Sequence, residues 1–412
     1  MDLTINHEQL LAELNTLAAF SSERSPVVTR VVFTEADSRA RAYLKQLCSE
    51  AGLLMREDAV GNTFFRWAGA DDTLPAVGTG SHIDAIPNAG MYDGTVGVMG
   101  GLEAIRALKA SGFLPRRSIE LLLFTSEEPT RFGVGCLGSR LLAGTMSGEA
   151  ARLLADAEGR GLDEVRNEAG FTGQLTDVLL PRGYYAHFVE LHIEQGPLLE
   201  REGISIGIVT NIAAPASLRI TVEGEGGHAG ALLMPDRHDA LAAASEIILA
   251  AEAAAKSTGA IDTVATVGMC DVFPGAVNSV PSRVKLSLDV RDTDLARRDA
   301  VLARIASVSD EVCGRRGVRM VLEIVNADAP AASDGTVLNA ITRACERCAI
   351  THKSMVSRAY HDSLFISRVA PMAMIFIPCR NGVSHRPDEY ASPEDIARGV
   401  LVLARTLAEL AG

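Results

Sequence analysis

The chain has 412 residues, of which 47% are hydrophobic and 22% are charged, and its formal net charge is −13. This length exceeds what one ordinary hydrophobic core accommodates, so we expect two domains, and the composition is that of a globular protein rather than a disordered one. The acidic balance argues against nucleic acids and anionic membranes as partners.

The first residues, MDLTINHEQLLAEL, lack the basic and apolar regions of a secretory signal, and no apolar run reaches the ~20 residues that a membrane-spanning helix needs. The seven cysteines are scattered along the chain, which predicts reduced thiols in a cytoplasmic protein. Cys345 and Cys348 form a single C-x-x-C pair within a helical pattern. Because no second pair accompanies it, thiols on one helix are favoured over a zinc or redox site.

Strand and helix patterns alternate over the first half of the chain. Residues 1–50 carry apolar side chains at helical spacing. The strand TLPAVGTGSHID, the helix TVGVMGGLEAIRALKASG and the strands SIELLLFTSEE and YYAHFVELHIEQG follow. Continuously apolar strands that alternate with helices predict a largely parallel sheet covered on both faces.

The pattern changes near Asn211. ASLRITVEGEG alternates apolar and polar residues, and a helix (236–256), two strands, a helix (296–314) and the strand RMVLEIVNA follow it. This β-α-β-β-α-β order predicts a ferredoxin-like α+β unit with one solvated sheet face. The first pattern then resumes. We therefore predict an α/β protein with a discontinuous catalytic domain, residues 1–210 and 328–412, and an inserted domain, residues 211–327.

Polar side chains stand where the apolar strands of the first pattern stop. The four clusters are Ser81-His82-Ile83-Asp84, Thr125-Ser126-Glu127-Glu128, Leu191-His192-Ile193-Glu194-Gln195 and Ser384-His385. Asp93 adds a carboxylate in the glycine-containing loop MYDGTVG. Because ligands bind outside the carboxyl ends of the strands in open α/β sheets, we expect these imidazoles and carboxylates to converge.

Imidazole and carboxylate donors without thiolates suit zinc, manganese or similar divalent ions. A catalytic ion usually takes three protein ligands, so five ligands predict two ions that share a bridging carboxylate. A lone histidine at a strand end is more often a surface residue, but three histidine clusters beside acids favour a metal site. A neighbouring acid without a metal could take the proton of the attacking water, and Asp84 could orient His82.

Six motifs extend this pattern over nearly the whole chain: GSHIDAIPNAGMYDGTVGV, FTSEEPTRFG, LHIEQGP, GGHAGA, NSVPSRVKLSLDVRD and GVSHRPDEY. They resemble those of the hydantoinase/carbamoylase branch of the aminoacylase/carboxypeptidase-type di-metal hydrolases. The resemblance implies a di-zinc-peptidase-like catalytic domain, an inserted ferredoxin-like lid and dimerisation domain, and two divalent ions per subunit, zinc or manganese.

The resemblance also implies the role of each metal ligand. His82 binds one ion, Asp93 bridges the two, and Glu128 binds the second ion. His192 and His385 complete the set, one on each ion.

The resemblance assigns catalysis and substrate binding to further residues. Glu127 is implied as the general base and later the general acid, and His228 as a donor that stabilises the oxyanion. The implied substrate contacts are Gln195, Asn278, Arg291 and His361. The inserted-domain groups are implied to act across a homodimer, on the neighbouring subunit's metal site. By the residues alone, Arg291 could instead pair with the adjacent Asp292, and Asn278 could be a turn residue.

The motifs SRAYHDSLFISR, EEPTRFGVGCLGSR, AAPASL and IFIPC are most similar to those of the ureidoglycolate amidohydrolase subgroup. Arg358 and Tyr360 add bulk and polarity before His361, which is typical of a site for a small polar substrate. The resemblance implies cleavage of a terminal ureido (carbamoyl) C–N bond in a small carboxylate, foremost ureidoglycolate. N-carbamoyl-L-amino acids or allantoate are the alternatives, and a dipeptidase or aminoacylase is a weaker one. A nucleotide site at GTVGVMGG is disfavoured because its glycines do not match G-x-G-x-x-G.

Overall fold

The computed structural model describes residues 2–412, which divide into two compact units. Unit 1 comprises the chain up to Thr210 together with Ala332–Ser357 and His361–Gly412, and unit 2 comprises Asn211–Ala331 and Arg358–Tyr360. The chain thus returns to unit 1 at residue 332, whereas the change of sequence pattern predicts residue 328.

Two side-chain contacts join the segment 358–360 to other residues of unit 2. Arg358 Nη2 donates a hydrogen bond to Asp262 Oδ1 at 2.6 Å, and the Arg291 guanidinium lies 5.9 Å from the centre of the Tyr360 ring. These contacts join residues distant in sequence, so the sequence pattern does not indicate them.

Twelve α-helices are described in residues 2–412: α1 (His7–Ala18), α2 (Glu35–Glu50), α3 (Thr95–Ala110), α4 (Leu137–Ala143), α5 (Gly148–Arg152), α6 (Leu162–Glu168), α7 (Leu198–Glu202), α8 (Ala240–Lys256), α9 (Leu295–Arg316), α10 (Gly335–Arg347), α11 (Asp362–Ile366) and α12 (Pro393–Ala411). None of these described helices combines the length and the apolar character that crossing a membrane requires.

The strands are β1 (Val28–Arg30), β2 (Leu54–Glu57), β3 (Thr63–Trp67), β4 (Ala76–His82), β5 (Ala85–Ala89), β6 (Ile119–Phe124), β7 (Tyr185–Ile193), β8 (Ile206–Ile212), β9 (Ala214–Glu223), β10 (Gly227–His228), β11 (Val264–Phe273), β12 (Ser279–Val280), β13 (Arg283–Asp292), β14 (Arg319–Ala327), β15 (Ala331–Ala332), β16 (His352–Ser357) and β17 (Met372–Ile377). Residues 1–50, predicted as helical, therefore hold two helices separated by the short strand β1.

The main sheet is mixed rather than largely parallel. Its strand order is β15-β8-β17-β7-β4-β6-β3-β2, with β16 paired to β8. The central strands β17, β7, β4 and β6 are parallel, whereas β3 pairs antiparallel with β6, and β8 pairs antiparallel with β17. The prediction holds for the centre and is wrong for the edges, where β2 and β3 form an antiparallel pair joined by a short loop.

Helix α3 packs closely on the parallel strands because it carries glycines. A Cβ atom on Gly97 would lie 2.3 Å from the Leu191 carbonyl oxygen in β7, and one on Gly100 would lie 2.9 Å from side-chain atoms of Leu191 and Val400. The glycines of GTVGVMGG therefore permit helix–sheet packing, which explains them without a nucleotide.

Unit 2 has a four-stranded antiparallel sheet with the order β11-β13-β9-β14. The chain order β9-α8-β11-β13-α9-β14 and this sheet order are those of a ferredoxin-like unit. The apolar residues of the strands, such as Ile220 and Leu286, form one core with Ile247 of α8 and Ile305 of α9. Along β13 the burial alternates, so the opposite face of the sheet is more exposed.

Candidate metal centre

The parallel strands bring the predicted ligands to one edge of the main sheet. His82 is the last residue of β4, and His192 is the next-to-last residue of β7. Glu128 lies in the loop that follows β6. His385 lies in the loop after β17, and Asp93 lies between β5 and α3. The polar clusters of the sequence therefore converge because their strands run in the same direction.

Asp93 stands at the centre of the cluster and contacts histidines with both of its oxygens. Its Oδ1 lies 3.1 Å from His192 Nε2 and 3.6 Å from His82 Nε2. Its Oδ2 lies 3.1 Å from His385 Nε2, which is also 3.3 Å from Glu128 Oε1. The donors thus form two groups that share Asp93: His82–Asp93–His192 and Asp93–Glu128–His385.

These spacings fit metal coordination. Bonds of ~2.0–2.2 Å in a tetrahedral arrangement place ligand atoms about 3.3–3.6 Å apart. The nitrogen–oxygen distances within the two groups, 3.1–3.6 Å, are close to this range and need only a small expansion to admit an ion. The Nδ1 atoms of His82 and His192 lie 3.0 and 2.9 Å from the main-chain carbonyl oxygens of Asp84 and Ile193. These carbonyls can accept the Nδ1 proton of each ring, which would leave Nε2 to bind a metal ion. Without an ion, Nε2 can carry a second proton and donate it to Asp93.

The charges of the cluster stabilise one another. Burial opposes ionisation of Asp93, but hydrogen bonds from His192, His385 and His82 outweigh it and hold the pKa of Asp93 well below its usual value. Hydrogen bonds to Asp93 and Glu128 raise the pKa of His385 to about 11. The carboxylates and the imidazoles of the cluster therefore favour each other's charged forms.

Glu127 and Glu128 have different surroundings although they are adjacent. Glu128 belongs to a donor group, whereas Glu127 Oε2 lies 3.7 Å from His82 Nε2, and Glu127 Oε1 accepts a hydrogen bond from Cys136 Sγ at 3.4 Å. Burial raises the pKa of Glu127 well above its usual value; His82 opposes this shift and Glu128 adds to it. A carboxyl with a raised pKa beside a metal cluster is suited to proton transfer.

Gly94 allows the Asp93 loop to pass beneath His82. Its φ is 66°, and a Cβ atom there would lie 2.4 Å from His82 Nε2. Both the conformation and the space therefore require glycine immediately after the shared carboxylate.

Asp84 supports the cluster through two parts of the residue. Its main-chain oxygen, rather than its carboxylate, contacts the His82 ring, because the carboxylate lies 3.8 Å from Nδ1. The carboxylate instead accepts the backbone N–H groups of Glu127 at 3.3 Å and Glu128 at 3.0 Å. Asp84 thus connects the loop after β4 with the loop after β6.

Two of the predicted substrate contacts lie in unit 1 beside the donor groups. Gln195 Nε2 donates to Asp93 Oδ2 at 2.7 Å, while its Oε1 is buried and has no hydrogen-bond partner among residues 2–412. The His361 ring lies 4.5 Å from the His192 ring, and its Nε2 lies 3.0 Å from Ser357 Oγ.

The remaining predicted contacts lie in unit 2. His228 and Asn278 are exposed and stand on adjoining segments, because β10 pairs with β12 and the Ala229 N–H donates to the Asn278 carbonyl. Arg291 forms an ion pair at 2.7 Å with Asp289. The adjacent Asp292, considered from the sequence as its partner, instead binds Arg297 and Thr263.

Three buried carboxylates near the cluster were not identified from the sequence. Glu389 binds the backbone N–H groups of Tyr92 and Asp93, Glu190 accepts from Ser81 and Ser363, and Asp362 accepts from Ser139. Burial, with the charge of Asp93, raises the pKa of Glu389 to about 7, and burial, with Glu190, raises the pKa of Asp362 to about 8. Glu389 lies within the motif GVSHRPDEY, and its place in this motif is the sequence feature that could have identified it as part of the site.

Comparisons with known proteins agree with this architecture. Residues 78–409 match the family model of peptidase family M20/M25/M40. The chain is 52% identical to ureidoglycolate hydrolase of Arabidopsis thaliana, over 99% of this chain and 87% of the relative. It is 38% identical to N-carbamoyl-L-amino acid amidohydrolase of Geobacillus stearothermophilus, over 99% of each chain. The crystal structure of AtUAH in complex with glyoxylate superposes with a TM-score of 0.91 at 52% identity, over 99% of this chain and 98% of that one.

The close approach of Gly94 to His82 generates a test. We expect Gly94→Ala to lower the free energy of unfolding and to reduce the retained divalent metal, because the new Cβ displaces the His82 ring. Gly112→Ala is the matched control: Gly112 has a φ of 76° but open space around it. The control should lose only ~1–2 kcal/mol and keep its metal. Urea denaturation and metal analysis after dialysis measure both effects, and equal metal content in the two variants would contradict the argument.

Proposed function

The chain belongs to peptidase family M20/M25/M40 and is a hydrolase of amide C–N bonds, and on this premise we propose that it cleaves the ureido group of ureidoglycolate with the help of two divalent ions. The observation that carries the proposal is the shared carboxylate of Asp93 between two donor groups, with Glu127 beside them. The identity to ureidoglycolate hydrolase over 99% of the chain supports this substrate.

The two ions would be zinc or manganese, because the donors are imidazoles and carboxylates. His82 and His192 would hold one ion, Glu128 and His385 the other, and Asp93 both. When bound, the ions would polarise the ureido carbonyl and lower the pKa of the attacking water.

The chain's own proton carrier in this proposal is Glu127. It accepts a proton from the attacking water as the water oxygen bonds to the ureido carbonyl carbon. It then delivers the proton to the nitrogen that leaves as the C–N bond breaks. The products are carbamate, which decays to ammonia and carbon dioxide, and hydroxyglycine, which decays to glyoxylate and ammonia.

Substrate recognition is proposed to use residues of both units. The unpartnered Oε1 of Gln195 is an acceptor for a ureido N–H, because the amide nitrogen of Gln195 already donates to Asp93. Arg291 and Asn278 are proposed to bind the substrate carboxylate, and His361 to add a further contact.

His228 is proposed to donate to the developing oxyanion. The backbone N–H of Gly230 donates to His228 Nδ1 at 3.1 Å, so the neutral ring carries its proton on Nε2. The exposed edge of the ring is therefore a hydrogen-bond donor, as an oxyanion requires.

We further propose that unit 2 acts as a lid and dimerisation domain in a homodimer, with its polar groups completing the neighbouring subunit's site. The exposure of His228 and Asn278 in the single chain supports this arrangement. The seven cysteines are free thiols, which supports a reducing compartment such as the cytoplasm.

N-carbamoyl-L-amino acids are the second candidate substrates, favoured by the 38% identical relative. Allantoate is a third, and dipeptides and N-acyl amino acids are weaker candidates. Tyr360 and Arg358 favour the smaller ureidoglycolate because they add bulk before His361.

A substrate panel tests the proposal. We expect metal-loaded protein to release ammonia from ureidoglycolate with a kcat/KM at least ~10-fold above that for allantoate or N-carbamoyl-L-amino acids, a difference of about 1.4 kcal/mol. Chelation should abolish the activity, and added manganese or zinc should restore it. Absence of ammonia release from all three ureido substrates would refute the proposal, and faster turnover of an N-carbamoyl amino acid would change the substrate.

Substitutions of the adjacent Glu127 and Glu128 test which residue transfers the proton and which binds the metal. We expect Glu127→Gln to lower kcat by ~10²–10⁴-fold while metal content stays unchanged, because the proton carrier is lost. Glu128→Gln should reduce the metal content, because a charged carboxylate ligand is replaced by a neutral amide that binds a divalent ion more weakly. Metal analysis and steady-state kinetics on both variants measure these effects, and metal loss from Glu127→Gln would reverse the assignment.

A mixed-dimer experiment tests the sharing of residues between subunits. Arg291→Ala should raise KM strongly with metal content intact, because it removes a carboxylate-binding cation. Mixing it with the inactive Glu127→Gln variant should restore about a quarter of wild-type activity, because half of randomly formed dimers carry one complete site. If the subunits are shown to exchange and the mixture still does not regain activity, Arg291 acts on the metal site of its own subunit.

A further inference from the structure

We propose that Glu389 is a positioning residue that braces the two loops bearing the shared ligand Asp93 and the ligand His385. This inference rests on the proposed metal-ligand set and adds a residue to its support. Glu389 belongs to neither of the donor groups that share Asp93, so its role is to hold ligands rather than to be one.

The brace consists of three hydrogen bonds to a buried carboxylate. Glu389 Oε1 accepts the backbone N–H groups of Tyr92 at 2.8 Å and Asp93 at 3.1 Å. Its Oε2 accepts from Ser384 Oγ at 2.8 Å. Ser384 immediately precedes His385, so one side chain connects the backbones on which two proposed ligands stand.

His385 needs such support because packing does not hold it. Its side chain is 48% exposed, whereas those of His82 and His192 are 2% and 0% exposed. Its backbone has a φ of 59°, a conformation that non-glycine residues adopt only when surrounding contacts enforce it.

The two loops lie side by side at a surface cleft. Met91, Tyr92 and residues 387–390 line one side of this cleft of about 460 Å³, and residues from 15 to 28 line the other. The edge-on contact of the Tyr92 and Tyr390 rings, 6.0 Å apart, and the bonds of Glu389 cross between the loops. A Cβ on Gly90 would lie 2.3 Å from Glu389 Cβ, so glycine lets the first loop approach the brace.

The brace also directs the proton of Ser384. Ser384 Oγ lies 2.8 Å from Glu389 Oε2 and 2.9 Å from Asp93 Oδ2, and its single proton can be donated to only one of them. Donation to Glu389 leaves the lone pairs of Asp93 Oδ2 freer to bind an ion. Without Glu389, the serine would donate to the ligand oxygen and compete with the metal.

Metal affinity tests the brace directly. We expect wild-type protein to retain two ions per subunit after dialysis and Glu389→Ala to bind the weaker ion ~10–100-fold less tightly, the usual effect of removing a ligand's supporting partner. Glu389→Gln should restore only part of the affinity, because its amide oxygen accepts the same backbone N–H groups but its amide nitrogen cannot accept the proton of Ser384. Titration of the metal-free proteins with Mn²⁺, followed by metal analysis, measures this.

The control is Glu120→Ala, which removes another buried carboxylate in unit 1. Glu120 lies in β6, near the end of the strand that is opposite the proposed ligands. Its carboxylate accepts hydrogen bonds from the hydroxyl groups of Tyr184 and Tyr185. It should change stability but leave the Mn²⁺ affinity of both ions as in the wild type. If Glu120→Ala and Glu389→Ala weaken Mn²⁺ binding equally, the loss of affinity comes from general destabilisation and the proposal is overturned.

Ser384→Ala gives a second route if Glu389→Ala does not fold. It removes one bond of the brace and keeps those to Tyr92 and Asp93, so we expect weaker binding of the same ion by a smaller factor. Unchanged affinity in a folded Glu389→Ala variant, or in Ser384→Ala, would overturn the brace while the ligand set stands. A wild-type protein that binds no divalent ion would instead refute the metal centre itself.

Discussion

The burial of many carboxylates around Asp93 is the constraint on which unit 1 depends. Seven of them are almost fully removed from solvent near the sheet edge: Asp84, Asp93, Glu127, Glu128, Glu190, Asp362 and Glu389. A buried carboxylate costs several kcal/mol unless charges or hydrogen bonds compensate it. Burial raises the pKa values of Glu127 and Asp362, neighbouring carboxylates add to the shift, and His82 offsets only part of it. The two divalent cations proposed above would supply further positive charge, and metal binding would then stabilise unit 1.

The buried carboxylates and the proposed ligands lie at the ends of the central, parallel strands of the mixed sheet. The strands β4, β6, β7 and β17 are parallel and continuously buried over most of their length, and each of them leads into a ligand-bearing segment. The antiparallel strands β2 and β3 at one edge carry none of the proposed ligands. Rigid strands hold His82 and His192, while Asp93, Glu128 and His385 stand on loops that need Asp84 and Glu389 to connect them.

The parts of the site that the sequence predicts are those with a local signal. His82 and His192 are found because an apolar run ends beside them, and the family resemblance then separates Glu127 from Glu128. The contact of Glu389 with Tyr92 joins residues 297 positions apart and has no local pattern. For the same reason the sequence does not indicate that the carboxylate of Asp84, which lies 3.8 Å from His82 Nδ1, also accepts the backbone N–H groups of Glu127 and Glu128 after β6. Edge pairing and supporting hydrogen bonds arise from tertiary packing, which periodicity does not encode.

The ion pair of Arg291 bears on how unit 2 can recognise a carboxylate. From the sequence, a local ion pair and substrate binding were competing interpretations of this residue. Asp289 accepts from Nε at 2.7 Å and from Nη2 at 3.4 Å, so it occupies one edge of the guanidinium. Arginine has five N–H donors, and its other edge remains able to form a two-pronged bond with a second carboxylate. If Arg291 binds substrate as proposed, Asp289 would fix the orientation of the guanidinium beforehand and lower the ordering cost of binding. The local ion pair is therefore compatible with the proposed substrate contact.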